Sequence, residues 1–334
     1  MCSSDLFVSA TGSVRARGLV LARIEHADGQ AGFGEAAPLQ GYDGVTVEDV
    51  RRALEDCREA IGRGESLSRE ELLAECARLA VLPQAVAAID LALWDLEGRR
   101  MGAPVWQLLG GRPIEPSINR AIAAPDRARA AEEAFAAARA GFKALKLKVG
   151  IGDDAGRLAA VRAAAGPEIA IRLDANGAWT VEEALAALSA LVPAGIELCE
   201  EPVSGIDQIA ELSARTELPI AIDETAAAPG ALESKACTAV SLKLGGSGGI
   251  TGLLERARRA RAVGYQVYLS STLDGPLGIA AAIHAATVIE PDRPSGLATL
   301  GLFADREDPL PAHDGRIALP AGAGLGDGLL DWYT

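Results

Sequence analysis

The chain has 334 residues, of which 32 are Lys or Arg and 46 are Asp or Glu, giving a formal net charge of −14 at pH 7. That charge excludes a general nucleic-acid or anionic-membrane binder, and an anionic substrate would need a local positive patch. The length allows a large buried core, as one big barrel or two domains.

In chain order, residues 13–35 read as two antiparallel strands joined at Asp28-Gly29, a strong two-residue turn signal. Residues 46–61 read as a helix capped by Thr46, with Glu48 and Asp49 in the first turn. Helical patterns continue over 68–78 and 83–100, where Ala85, Ile89, Leu93 and Leu96 recur at helical spacing. From residue 117 the pattern becomes an alternation. Apolar strand candidates at 117–122, 144–149, 169–173, 196–199, 219–222, 239–242, 266–269 and 296–300 are separated by helical stretches such as 127–140, 181–191 and 253–263. Eight strands, apolar almost throughout and with helices between them, predict a closed parallel sheet. The fold class is α/β: a (β/α) barrel over 113–300, with an α+β domain over 1–112 that the Gly- and Pro-rich tail 301–334 rejoins. No run of about 18 uncharged apolar residues predicts a membrane span, and residues 1–7 do not read as a signal peptide. Cys2, Cys57, Cys76, Cys199 and Cys237 are scattered and form no CxxC pair, which points to reduced, mostly buried thiols and a cytoplasmic protein.

Charged residues close the apolar runs. Lys146 and Lys148, Asp174, Glu200, Asp223 and Lys243 follow one another at steps of 20–26 residues, about one strand, one helix and two loops each. In a barrel each step reaches the next strand end, so three carboxylates and the lysines should meet around one pocket. A single Asp after a strand is more often a helix cap; three in register argue for a site. Three acids without a histidine suit a hard divalent cation such as Mg²⁺. Lys146 and Lys148, two apart, share one face of their strand, while Leu145, Leu147 and Val149 claim the other. A lysine in a partly dry, cation-rich pocket has a lowered pKa and can act as a base. Glu201 and Glu224 should point away from the metal ligands. The run Gly245-Gly-Ser-Gly-Gly249 reads as a turn that lets substrate approach the backbone. Gly275-Pro-Leu-Gly278 should open a helix whose N–H groups either receive a carboxylate or are simply capped. Candidate substrate contacts are Tyr42, Asn176, Gly245, Ser271 and Thr272. None of His26, His284 and His313 lies at a strand end, and no Ser or Cys has a plausible His partner, which argues against a nucleophilic triad.

Lys146-X-Lys148, Asp174-Ala-Asn176, Glu200-Glu-Pro202, Asp223-Glu224 and Lys243 together resemble the enolase superfamily, in its muconate-lactonizing-enzyme subgroup. The resemblance covers nearly the whole chain, including Gly34-Glu-Ala-Ala-Pro-Leu39 and Ala88-Ile-Asp-Leu-Ala-Leu-Trp-Asp95. It implies a capping domain over a modified TIM-type barrel, Mg²⁺ (or Mn²⁺ as substitute) on Asp174, Glu200 and Asp223, and removal of a proton beside the carboxylate of a small-molecule substrate. The mandelate-racemase branch carries a histidine base after strand seven, where this chain has Ser270 to Asp274. Dipeptide epimerases of the family usually carry a pair of acids after strand eight, where this chain has Leu297-Ala-Thr-Leu300. The segment Gly34 to Tyr42, the Ser-Ser-Thr-Leu-Asp stretch and Asp308-Pro-Leu-Pro look most like o-succinylbenzoate synthases of menaquinone biosynthesis. On that likeness the reaction is a dehydration in which Lys148 removes the proton, Lys243 stabilises the anion, and Lys146 keeps the pKa of Lys148 low. Residues 39–44, with Tyr42, would close over the pocket. Alternatives within the subgroup are a dipeptide or N-acylamino-acid epimerase and a muconate-type cycloisomerase; outside the enzyme class, a small-acid-binding barrel. A homo-oligomer is compatible with this reading. Family members usually start with an extra strand before the segment matching residues 7–11, so the first capping strand is expected to be missing or replaced.

Overall fold

A computed structural model describes residues 7–9, 12–14, 16–64 and 67–334. The expectation about a missing first strand falls largely outside them. β1 (Phe7–Ser9) and β2 (Gly12–Val14) form one antiparallel pair, and β3 (Val20–Glu25) and β4 (Ala31–Ala36) another. Asp28-Gly29 turns the second hairpin, with Gly29 at φ +85°. The sequence pattern runs its first strand from residue 13, whereas β3 begins at Val20. The reason is Arg17, whose guanidinium donates to the carbonyls of Ala37 and Thr272, at 2.7 and 2.8 Å, and to Pro38 and Leu273. These bonds tie residues 16–19 to the segment after β4 and to the loop that follows Ser270.

A helical layer follows: α1 (Gln40–Asp43), α2 (Val47–Asp56), α3 (Arg58–Gly62), α4 (Arg69–Ala80), α5 (Pro83–Met101) and α6 (Val105–Leu108). Thr46–Asp49 and Ser68–Glu71 form reciprocal capping boxes at α2 and α4. The single helix expected over 46–61 breaks at Cys57. The β3–β4 hairpin lies directly on α5: a Cβ on Gly34 would stand 2.0 Å from the Ala88 carbonyl, so only glycine permits this approach. Because α5 also packs on the far side, its polar residues are buried and used as caps. Asp90 accepts from the Thr251 amide and hydroxyl at 3.0 and 2.6 Å, and Asp95 from the amides of Phe33 and Leu325 at 2.9 and 2.8 Å.

The remainder alternates β5 (Arg120–Ile122), α7 (Arg127–Arg139), β6 (Ala144–Lys148), α8 (Asp154–Ala165), β7 (Ala170–Asp174), α9 (Val181–Leu191), β8 (Ile196–Glu200), α10 (Ile206–Arg215), β9 (Ile220–Ile222), α11 (Ala231–Ser234), β10 (Ala239–Lys243), α12 (Leu244–Ser247), α13 (Gly249–Ala262), β11 (Gln266–Ser270) and α14 (Pro276–Ile289). β12 (Ala312–His313) and β13 (Arg316–Ile317) make a short hairpin in the tail. β5 to β11 form one parallel sheet in sequential order. The eighth strand expected at 296–300 is not formed. Ser295 bridges Ile118 and Gly296 bridges Ser270, so two residues close the gap between β11 and the segment before β5. Pro294 has no N–H, and its carbonyl is taken by Asn119 and Arg172 side chains at 3.0 and 2.6 Å; Leu300–Leu302 then winds into a single 3₁₀ turn.

Side chains alternate across these strands. Leu145, Leu147, Leu173, Cys199, Ile222, Leu242 and Leu269 join the core beneath the helices. Leu198, Ala221, Ala239 and Tyr268 form a separate small cluster inside the curled sheet. The tail returns to the N-terminal layer: Trp332 packs edge-on against Phe303 at 5.0 Å between ring centres, and the Tyr333 hydroxyl donates to Glu35. Cys57, Cys76, Cys199 and Cys237 are buried free thiols. No helix among the described residues is long and apolar enough to cross a membrane.

Candidate active site

A cavity of about 420 Å³ opens at the C-terminal ends of the parallel strands, beneath residues 38–47. Asp174 and Lys148 are the last residues of β7 and β6, Lys243 the last of β10, and Asp223 follows β9; all line the cavity, as does Lys146. Glu200 ends β8 and is fully buried just beneath the wall. Asp174 and Glu200 are 0% exposed and Asp223 6%. The alternation that makes a strand apolar on its helix side delivers these charges to the inner side.

The charges interlock. Lys146 Nζ lies 2.7 Å from Asp174 Oδ2 and 2.8 Å from Glu200 Oε1. Lys148 Nζ donates to Asp174 Oδ2 at 2.6 Å and to Asn176 Oδ1 at 2.8 Å. Lys243 donates to Asp223, and its ammonium sits 4.6 Å from the centre of the Tyr42 ring, a cation–π distance. The Tyr42 hydroxyl donates to Asp223 Oδ1 at 3.3 Å. Burial works to lower the pKa of Lys146, but Asp174, Glu200 and Asp223 outweigh it, so its ammonium is held above the ordinary lysine value; Lys243 behaves likewise, through Asp223, Glu224 and Glu200. Both ammonium groups are favoured because carboxylates touch them. Burial pushes the Glu200 carboxyl up, with Lys146 pulling against it, whereas Lys146 and Lys148 outweigh burial at Asp174 and hold it low.

Among the described residues, no three Asp, Glu, His or Cys side chains stand as a closed metal cluster; ammonium groups are inserted between them. The donor set nevertheless fits a hard cation. It offers three carboxylates, each at most 6% exposed, and an ammonium already bridges two of them.

Neither Glu201 nor Glu224 lines this cavity, although Glu224 faces the adjoining one. Glu201 accepts from the Asp223 and Thr225 amides at 2.6 and 3.0 Å, fixing the backbone that presents Asp223. Glu224 Oε1 accepts from Asn176 Nδ2 at 2.8 Å. Tyr42, Asn176, Ser271 and Thr272 line the cavity, but Gly245 does not. The chain winds into α12 immediately after Lys243, which carries Gly245 behind the lysine into an adjoining cavity of about 390 Å³. The start of α14 is closed to a substrate carboxylate: the Gly275 amide donates to Glu35 Oε1 at 2.6 Å and the Leu277 amide to the Tyr333 hydroxyl at 3.0 Å. His284 is a buried packing residue between the Trp106 amide and the Leu325 carbonyl, its pKa lowered to about 4 by burial.

Three contributors escaped the sequence reading. Arg17 and Asn119 line the cavity. Tyr268, two residues before Ser270 on the same strand face, donates to Glu200 Oε2 at 2.8 Å. Its position on an inward face was a readable signal; Arg17, in an irregular segment, gave none.

The chain matches the family described as enolase C-terminal domain-like over residues 127–330, and the mandelate racemase / muconate lactonizing enzyme N-terminal domain over residues 3–110. It is 31% identical over 294 residues to the L-Ala-D/L-Glu epimerase of Clostridium acetobutylicum, covering 84% of this chain and 82% of that protein. It is also 31% identical over 337 residues to muconate cycloisomerase 1 of Rhodococcus opacus, covering 95% and 90%. The solved structure of a dipeptide epimerase from Enterococcus faecalis, complexed with Mg and the dipeptide L-Leu-L-Tyr, superposes with a TM-score of 0.86 at 26% identity, over 97% of this chain and 95% of that one.

Proposed function

The chain is an enzyme of the mandelate racemase / muconate lactonizing enzyme family within the enolase superfamily, and from that premise we propose that it epimerises an N-acylated amino acid at the carbon beside the carboxylate. The observation that carries this reading is the wall near Gly296. There the cavity meets Ala298 and Thr299, and among the described residues its only carboxylates are Asp174 and Asp223, both engaged by lysines. An ammonium-bearing dipeptide would find no partner at that wall, whereas an acylated nitrogen needs none.

Lys148 and Lys243 stand on β6 and β10, with β7, β8 and β9 between them in the sheet. They therefore approach a bound α-carbon from opposite sides. One takes the proton and the other returns it to the opposite face. Lys146, between Asp174 and Glu200, lays positive charge beside the substrate carboxylate. Asp174, Glu200 and Asp223 are the residues that would hold Mg²⁺, which when bound supplies the charge that stabilises a carboxylate as its neighbouring carbon loses a proton. Tyr42 and residues 39–44 cover the reacting carbon from water.

The test is proton exchange in D₂O with Mg²⁺ and the two enantiomers of an N-acyl amino acid, followed by NMR. The wild type should wash out the α-proton of both. Lys148→Ala should retain washout of one enantiomer only, and Lys243→Ala of the other. Absence of exchange with every acylated amino acid, together with formation of o-succinylbenzoate from the cyclohexadiene precursor, would return the reading to the dehydration implied by residues 34–42, which shares the same first proton transfer.

A further inference from the structure

The floor of the curled sheet carries a phenol that none of the strand-end motifs includes. Tyr268, on β11, is 1% exposed, and its hydroxyl donates to Glu200 Oε2 at 2.8 Å. Glu200 is on β8, so the ring must cross the width of β10 and β9. The ring leans across Ala239 and Ala221, small inward residues of β10 and β9, which with Leu198 form the apolar cluster around it. Either alanine enlarged to leucine would fill the path. Arg172 places its guanidinium carbon 5.3 Å from the centre of the Tyr268 ring, and is itself fixed by Glu197 Oε2 and the Pro294 carbonyl, both at 2.6 Å. A cation near the ring draws electron density from it and makes the hydroxyl a better donor. The other oxygen of the carboxylate, Oε1, faces Lys146 at 2.8 Å. The two oxygens of Glu200 thus have separate assignments, Oε2 to the floor and Oε1 to the cavity side.

We propose that Tyr268 is a positioning residue of the divalent-cation site: it fixes the rotation of the Glu200 carboxylate so that Oε1 alone is presented as a ligand. The inference rests on the metal reading above. Outer partners that orient a ligating carboxylate commonly contribute a factor of about 10–100 in metal affinity. Phenylalanine keeps the ring in its space and deletes only the donor.

The experiment is calorimetric titration of Mn²⁺ into the metal-free full chain. Tyr268→Phe should bind roughly 10–100-fold more weakly than wild type. Tyr265→Phe, which removes a hydroxyl bonded to the Ala231 carbonyl at 3.1 Å and to the Ala236 amide at 3.0 Å outside the site, should bind like wild type. Thermal unfolding of the metal-free proteins reports packing separately. In a Glu200→Gln background, Tyr268→Phe should cost no further affinity, because its effect passes through Glu200. Wild-type affinity in Tyr268→Phe, or losses that simply add in the double variant, would overturn the proposal. A wild-type protein that binds no Mn²⁺ would instead overturn the metal reading on which it stands.

Discussion

Asn176 illustrates how a carboxylate can set the polarity of a neighbouring amide. A carboxylate only accepts, so Glu224 Oε1 at 2.8 Å requires the NH₂ end of Asn176, which turns the amide oxygen to Lys148, also at 2.8 Å. The backbone assists: Asn176 sits at φ +46°, and its amide donates to Asp174 Oδ1 at 3.1 Å. Glu224→Gln can present either end, so the Asn176 amide loses its fixed sense and the direction of the Lys148 head group is no longer held. We expect kcat to fall about tenfold, on the order of 1.4 kcal/mol of barrier, with KM nearly unchanged. Steady-state kinetics would decide it; a rise in KM at constant kcat would place Glu224 in substrate binding instead. At this scale the lysines and acids were legible because charge at the end of an apolar strand is conspicuous. Glu224 was readable only as a residue facing away, since sequence shows side and not partner. Tyr268 was readable as an inward residue of its strand, but its bond to Glu200, three strands away, was not.

At the scale of elements, the start of α14 is the most instructive. Its glycine and proline announce a helix N-terminus correctly, but not what fills it. Glu35, from β4, does so, with the Tyr333 hydroxyl as a second partner. Burial, then the neighbouring Asp274, pushes the Glu35 carboxyl up to about 7 from an ordinary value of 4.5. Between those two values the folded protein holds a proton that the unfolded chain has released, so this group's contribution to stability falls as pH rises from about 4.5 to about 7 and is level above. Glu35→Gln should remove that slope. Urea unfolding at pH 5 and pH 8 would show a smaller difference between the two pH values in the variant than in wild type; equal differences would mean that Glu35 does not titrate as described. The missing eighth strand has a comparable lesson. Its apolar residues suggested a strand, but only Ser295 and Gly296 bridge to neighbouring strands before the chain leaves the sheet for the 3₁₀ turn at Leu300–Leu302, a departure that the apolar pattern does not show.

For the molecule as a whole, a cation held as proposed by Asp174, Glu200 and Asp223 would tie together the C-terminal ends of three neighbouring strands. Mg²⁺ should raise the unfolding temperature by mass action, by about 2.7 kcal/mol of stability when free metal is a hundredfold above its Kd, and EDTA should reverse it. Asp174→Asn should abolish the shift in a scanning calorimeter; an unchanged shift would put the cation elsewhere. The barrel with its α+β partner was legible because the change from helix-rich pattern to strand–helix alternation near residue 117 reflects how each part buries its surface. The contacts that join distant segments were not, since they follow from where the chain returns rather than from local period. The bond between Tyr333 and Glu35 spans 298 residues of sequence. At ribosomal rates of about 5–20 residues per second, Glu35 emerges roughly 15–60 seconds before its partner has been made. Throughout that interval the nascent hairpin carries an acid whose burial has no counterpart to complete it, so the roof of the pocket is settled late in synthesis, however early its own strands have paired.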